Sequence, residues 1–304
     1  WIATSTRSND FPMVNAFDPG LNGTSDALIL RMSEDLSELE FSSYFGGNQD
    51  DAAYAVQFAQ GSTMAYIAGG TRSDDLPTSP DAYQPNLAGE SDGYVFALNY
   101  APEMPILEGA SYFGTDDYDQ SYFVQLDTED RPHLCGQTVG SSLALVGDVY
   151  ANNPNGSTFV VRFSAALDAV DWVTRVGLPQ SGIDISPTAF LVSDCDEMYI
   201  SGWGGVTNNS NSSNAGQSTT SGMPTTVDAY QIGTDGSDFW LGVLAPEAAD
   251  LTYGTFFGGT FSNEHVDGGT SRFDKNGTVY QAVCAGCGGW DDFPTTAGAW
   301  SGTN

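Results

Sequence analysis

An all-β fold of repeated four-stranded units is predicted for this 304-residue chain by three landmarks that recur in a fixed order. The first is an aromatic residue after a Pro-containing loop, at Phe17, Tyr83, Tyr150, Tyr230 and Trp300, in steps of 66, 67, 80 and 70 residues. The second is an aromatic-Gly turn: SYFGG ending at Gly47, SYFGT ending at Thr115 and TFFGG ending at Gly259, with the third copy departing to TRVGL at Thr174–Leu178. The third is a strand-like run after a small or acidic residue: SDALIL from Ser25, SDGYVFAL from Ser91, STFVVRF from Ser157 and SDFWLGVL from Ser237. Trp1–Pro12 (WIATSTRSNDFP) also overlies Tyr66–Pro77 (YIAGGTRSDDLP) without a gap, at an offset of 65 residues. Self-similarity at a fixed period marks a stacked or radial repeat.

Within one period the elements follow from local composition. Ser42–Phe45, Ala53–Phe58, Met64–Gly69 and Asp92–Asn99 are short, rich in aromatic and β-branched residues, and bounded by Gly, Asp, Ser or Pro, which is the pattern of strands between turns. Ser33–Leu39 is the best helical candidate and spans only about two turns. Four short antiparallel strands per repeat fit the blade of a β-propeller, in which each blade buries its faces against its neighbours. The expected organisation is one propeller region over 1–304: a partial repeat at 1–41, repeats at about 42–110, 111–172 and 173–252, and a partial repeat at 253–304. The landmark aromatics, Tyr83 among them, are expected between blades. Both ends fall inside a repeat, so a fragment of a longer polypeptide is expected.

The order YFGG-(N/T)-x-DD, then YIAGGT-x-SDDLPT-x-x-DAYQ, then DGYVFALN resembles the SBBP-type β-propeller repeat of bacterial surface proteins. Ser193–Gly205 (SDCDEMYISGWGG) and Val279–Trp300 (VYQAVCAGCGGWDDFPTTAGAW) resemble the closing portion of such propellers in large secreted proteins of gliding Bacteroidota. Those proteins often end in a gliding-motility-type sorting domain exported by the type IX system. The resemblance implies an extracellular, cell-surface location and other domains of the same polypeptide as neighbours. It says little about activity, because one fold hosts many functions.

Composition agrees with that setting. Lys plus Arg total 8 against 39 Asp plus Glu, for a net charge of −31. A field of that sign repels nucleic acid and anionic membranes, whose binding depends on cationic neutralisation. No run of about 18 apolar residues is present, so no transmembrane helix is expected.

Acidic pairs recur at turns. Asp50-Asp51 and Asp116-Asp117 follow the aromatic-Gly turns, and Asp74-Asp75 and Asp291-Asp292 precede loop prolines. Hard oxygen ligands of this kind suit calcium, which makes Asp50, Asp51, Asp116 and Asp117 the candidate metal ligands. No other cofactor is expected. The competing reading is that these carboxylates cap turns by accepting backbone N–H groups, and no D-x-D-x-D-G calcium loop is present.

The four cysteines are Cys135, Cys195, Cys284 and Cys287. Tyr66, His133, Tyr199 and Tyr280 share one strand position, so Cys195 enters its strand where Cys284 leaves its own, and the two are poor partners. A local Cys284–Cys287 bridge fits an oxidising compartment. A C-x-x-C also occurs in redox centres and as half of a zinc site, though zinc needs two further ligands.

Gly70–Leu76, Gly204–Met223 and Cys284–Phe293 are the same inter-strand loop in successive repeats and are expected to line one rim. The second expands into the polar segment GGVTNNSNSSNAGQSTTSGM. Loops on a rigid scaffold commonly carry binding residues, so Trp203, Asn208, Asn211 and Trp290 are the candidate partner contacts. Solvated insertion and core packing compete with that reading. Only two histidines occur, His133 and His265, and no G-x-S-x-G, H-E-x-x-H or phosphate-loop motif is present. The expected function is therefore a non-enzymatic surface scaffold or adhesion module presenting rim loops to a glycan, surface or protein. An accessory binding domain of a secreted hydrolase is the alternative.

Overall fold

A computed structural model describes residues 1–101, 103–178, 182–205, 218–266, 271–287 and 289–303. The described elements are antiparallel strands with two single-turn 3-10 helices. The first sheet has three strands in chain order: β1 (Ile2–Thr6), β2 (Asp26–Met32) and β3 (Leu39–Phe45). Three four-stranded sheets follow, each also in chain order. They are β4 (Asp51–Phe58), β5 (Met64–Thr71), β6 (Asp92–Asn99) and β7 (Ile106–Phe113), then β8 (Asp119–Leu126), β9 (Pro132–Thr138), β10 (Thr158–Phe163) and β11 (Val170–Val176). The last is β12 (Ser186–Val192), β13 (Met198–Trp203), β14 (Phe239–Leu244) and β15 (Leu251–Phe257). The chain then forms two short ladders, β16 (Asn263–His265) with β19 (Cys284–Cys287) and β17 (Arg272–Phe273) with β18 (Val279–Tyr280). The candidate helix at Ser33–Leu39 is instead the turn joining β2 to β3. Leu36 adopts a left-handed φ of 61° there, and the Ser37 N–H donates to both Ser33 Oγ and Asp35 Oδ1.

Middle strands are apolar without alternation because both their faces are covered. All of β5 except Met64 is buried, and all of β6 except Asn99. The first strands β4, β8 and β12 each shift register once against their neighbour, at Ala53/Ala55, Ser121/Phe123 and Pro187/Ala189. A bulge turns one side chain out of the ladder. At two of these positions the displaced residues are Tyr54 and Tyr122, whose rings stack with centroids 5.3 Å apart.

The chain divides into two compact units, Trp1–Leu143 with Val160–Asp171, and Ala144–Phe159 with Trp172–Asn304. The core of the first is aromatic: Phe45 stacks on Phe96 at 4.0 Å, and Tyr94 lies 5.4 Å from Phe45. In the second, Trp240 is fully buried and its Nε1 donates to the Pro224 carbonyl at 2.8 Å.

The post-proline aromatics are not the buried wedges expected from their recurrence. Tyr83 is 41% exposed, Tyr230 68% and Trp300 fully exposed. Their recurrence has a backbone cause. The residue after Tyr83, Gln84, donates its N–H to Ser111 Oγ at 3.0 Å and accepts the Tyr112 N–H at 3.0 Å. Asp18 does the same with Ser43 Oγ and the Tyr44 N–H, and Gln231 with Thr255 Oγ1 and the Phe256 N–H. Each loop thus occupies the outer edge of the last strand of a sheet, where unpaired backbone groups otherwise invite another chain.

Candidate functional site

The aromatic-Gly turns carry a polar arrangement that repeats. After each turn the backbone N–H donates to the carboxylate that opens the next first strand. Gly47 N reaches Asp51 Oδ2 at 2.8 Å, Thr115 N reaches Asp119 Oδ2 at 2.6 Å, and Gly259 N reaches Glu264 Oε1 at 3.0 Å. In the third copy Leu178 N lies 3.1 Å from Asp184 Oδ2. A second buried carboxylate stands at the start of the next-to-last strand of the preceding sheet, at Asp26, Asp92 and Asp238. Burial pushes Asp51 up to about 6, and Asp92 and Asp238 up to about 7. Burial also raises Asp26 and Glu264.

The candidate calcium ligands therefore divide. Asp51 is buried and accepts Gly47 N and Ser73 Oγ, whereas Asp50 accepts Ser25 Oγ at 3.2 Å. Asp116 and Asp117 are exposed, Asp116 accepting Ser142 Oγ at 2.7 Å and Asp117 accepting the Tyr118 N–H at 2.9 Å. The structural equivalent of Asp51 is Asp119, because each lies four residues beyond the residue that ends its turn. The spacing of adjacent acids in sequence did not reveal that register. Asp26, Asp92, Asp238 and Glu264 were missed altogether, although the Ser-Asp opening of three strands was visible. Among the described residues no group of three or more His, Cys, Asp or Glu side chains is arranged to hold a metal ion.

The acids that precede loop prolines anchor those loops. Asp75 Oδ1 accepts the Asn48 N–H at 2.8 Å, tying Gly70–Leu76 to the turn at Gly47. In the second unit Asp292 Oδ2 accepts the Thr260 and Phe261 N–H groups at 2.7 and 2.8 Å. That clamp holds Trp290 and Phe261 side by side, with ring centroids 5.1 Å apart and exposures of 51% and 60%. Beside them Thr260 borders an open pocket of about 430 Å³ that Gln231, Thr234 and Asp235 also line.

Trp203, by contrast, is a core residue and not a surface contact. It is buried against Phe239 and Val266 with its ring 5.7 Å from His265, because it ends β13 on the inward side of the sheet. Asn208 and Asn211 lie outside the described residues. Cys284 and Cys287 sit on one strand, β19, but the Cys287 side chain also lies outside those described, so the expected bridge falls there. Cys135 is a buried free thiol and Cys195 an exposed one.

The sequence matches no protein-family model, and no curated protein is significantly similar to it. Among the described residues no helix is long and apolar enough to cross a membrane.

Proposed function

We propose that this chain is a non-enzymatic scaffold module of a bacterial cell-surface protein, built as a β-propeller, that presents the Phe261–Trp290 cluster to a glycan or protein partner. The propeller reading is supported by successive sheets of one strand order, each joined to the next by a Gly-containing turn from its outer strand to the following first strand, aromatic-Gly at every junction but TRVGL. The observation that carries the binding reading is the exposed aromatic pair at 5.1 Å, fixed from behind by two hydrogen bonds to Asp292. Two large rings held open to solvent on a rigid frame offer stacking area at little cost in side-chain order. The neighbouring Asp235 and the pocket lining supply hydroxyl, amide and carboxylate groups of the kind that orient sugar hydroxyls.

The test is a glycan-array and surface-protein pull-down screen with wild type, Trp290→Ala and a deletion of Asn208–Ser221. The expected result is a ligand bound by wild type and lost in Trp290→Ala, with unfolding unchanged. A ligand that both variants retain at full affinity would remove this cluster as the contact.

A further inference from the structure

At Gly258 two buried acids present oxygens to each other with no donor between them. Asp238 and Glu264 are both almost wholly buried, and Asp238 Oδ1 and Glu264 Oε2 have no hydrogen-bond partner. The Glu264 carboxyl acts on Asp238 and helps to raise its pKa. Both unpartnered oxygens converge on one point: a Cβ at Gly258 would lie 2.0 Å from Asp238 Oδ1 and 2.7 Å from Glu264 Oε2. Glycine is required there because any side chain would displace the pair. The other carboxylate oxygens are already engaged, Glu264 Oε1 by Gly259 N and Ser262 Oγ, and Asp238 Oδ2 by Gln231 Nε2.

Two other junctions resemble this one in part, with Asp26 fully hydrogen-bonded by the Asn22 and Gly23 N–H groups. A Cβ at Gly46 would meet Asp26 and Asp51 at 2.6 and 2.8 Å, and one at Gly114 would meet Asp92 at 2.6 Å beside Asp119. Asp51 Oδ1 and Asp92 Oδ1 are again buried without a partner. The third junction differs in the way this reading requires. There Thr158 replaces the first acid, and the remaining Asp184 takes the Ser157 hydroxyl at 2.7 Å.

Two ionised carboxylates facing one another repel more strongly as the effective dielectric falls, and a buried charge without a partner is costlier still. One positive occupant between the oxygens removes both penalties. Calcium needs six to eight oxygen ligands, whereas Asp238 and Glu264 offer one free oxygen each, their other oxygens being held by N–H and O–H donors. A proton needs two oxygens and no more.

We propose that Asp238 and Glu264 share a single proton in the folded protein at neutral pH, with Asp26–Asp51 and Asp92–Asp119 as related acid pairs at two other sheet junctions. Neighbouring acids favour proton retention by the pairs. Asp235 faces Asp238 and Glu264, with Asp292 acting on Asp235. Asp18 and Asp75 face Asp26, and the hydroxyls of Tyr94 and Tyr112 lie near Asp51. Tyr118, itself close to Arg72, is the titratable neighbour of Asp119. Folded-state values above the ordinary carboxylate range make the contribution to stability complete below about pH 4, the unfolded value. It is lost as pH rises through about 6 to 7.

The experiment counts protons released on urea unfolding of the whole chain at about pH 6, where unfolded carboxyls are ionised. The comparison is between wild type, Asp238→Asn and Asp81→Asn, a control at an exposed acid. Asp238→Asn is expected to release about one proton fewer than wild type, and its unfolding constant to rise about tenfold less per pH unit between about pH 5 and 7. Asp81→Asn is expected to match wild type. Infrared detection of a protonated carboxyl in folded wild type at pH 7, diminished in Asp238→Asn or Glu264→Gln, gives a readout that needs no unfolding. Equal proton release by all three proteins would overturn the proposal. So would a calcium-dependent rise in wild-type Tm above pH 8 that Asp238→Asn abolishes, since the occupant would then be a divalent cation.

Discussion

Tyr112 on β7 donates its hydroxyl to the carbonyl of Ser73, 39 residues earlier, at 2.8 Å, and accepts the Leu76 N–H at 2.9 Å. One phenol thus satisfies two buried backbone groups of the SDDLP loop, and burial pushes its pKa up to about 12. Tyr44 makes the corresponding bond to the Ser8 carbonyl at 2.6 Å. Tyr112→Phe leaves an acceptor and a donor buried and unpaired and is expected to cost about 1–3 kcal/mol. Urea unfolding of the variant against wild type measures it. A cost within error of zero would show that water replaces the phenol.

The two tryptophans of the candidate rim are expected to separate stability from binding. Trp203→Ala removes a buried ring packed on Phe239 and Val266, and is expected to cost about 3–5 kcal/mol. Trp290→Ala removes a half-exposed ring and is expected to cost under about 1 kcal/mol. Equal losses of Tm in the two variants would contradict this division.

The strand order and the four-stranded period were legible because both rest on short-range chemistry: apolar middle strands, turn residues and the repeat itself. The side-chain roles were less legible. Tyr83 recurs like a core residue, yet what recurs is the pinning of Gln84 to the edge of β7, a function of backbone position that composition does not display. The departure at TRVGL likewise hides a substitution of roles. Arg175 stands where Tyr112 stands in the second sheet, is fully buried, and donates Nε to the Gly156 carbonyl at 2.8 Å. The paired carboxyls join residues about 25 apart in sequence, and only the fold brings them into contact.

Tyr83→Ala provides a direct check on that reinterpretation. The ring meets Phe163 edge-on at 5.8 Å and Phe113 in a tilted contact at 6.3 Å while 41% of the residue stays exposed. A loss of about 1–2 kcal/mol is expected, between the surface and core ranges. A loss above about 3 kcal/mol would restore Tyr83 to the core.

Thiol reactivity follows burial. Cys195 is exposed and Cys135 is buried within β9, where burial drives its thiol pKa far above the ordinary range. The thiolate is the reactive form. In native protein, a thiol reagent is expected to label Cys195 within minutes and to spare Cys135 until denaturant is added. Peptide mapping after timed alkylation distinguishes the two, and early labelling of Cys135 would mean that β9 opens readily.

His133 gives a pH dependence opposite in sign to that of the acid pairs. It occupies the β9 position that carries Tyr66, Tyr199 and Tyr280 in other repeats, and it is almost completely buried. Burial holds its imidazole down to about 4, helped by Arg162 and Arg131 and opposed by Asp127 and the Arg131 carbonyl. The unfolded value is about 6.5, so between these limits the unfolded chain binds the proton and the folded one does not. The stability from a neutral His133 is present above about pH 6.5 and is lost as pH falls through about 4. His133→Tyr removes that limb. The ratio of wild-type to variant unfolding constants is expected to rise as pH falls from about 6.5 to 4.5, by up to tenfold per pH unit. An NMR titration of the two histidines gives a second readout, in which the His133 ring signal stays neutral until about pH 4. A His133 midpoint near 6.5 in folded protein would mean that water or Asp127 stabilises the imidazolium in place.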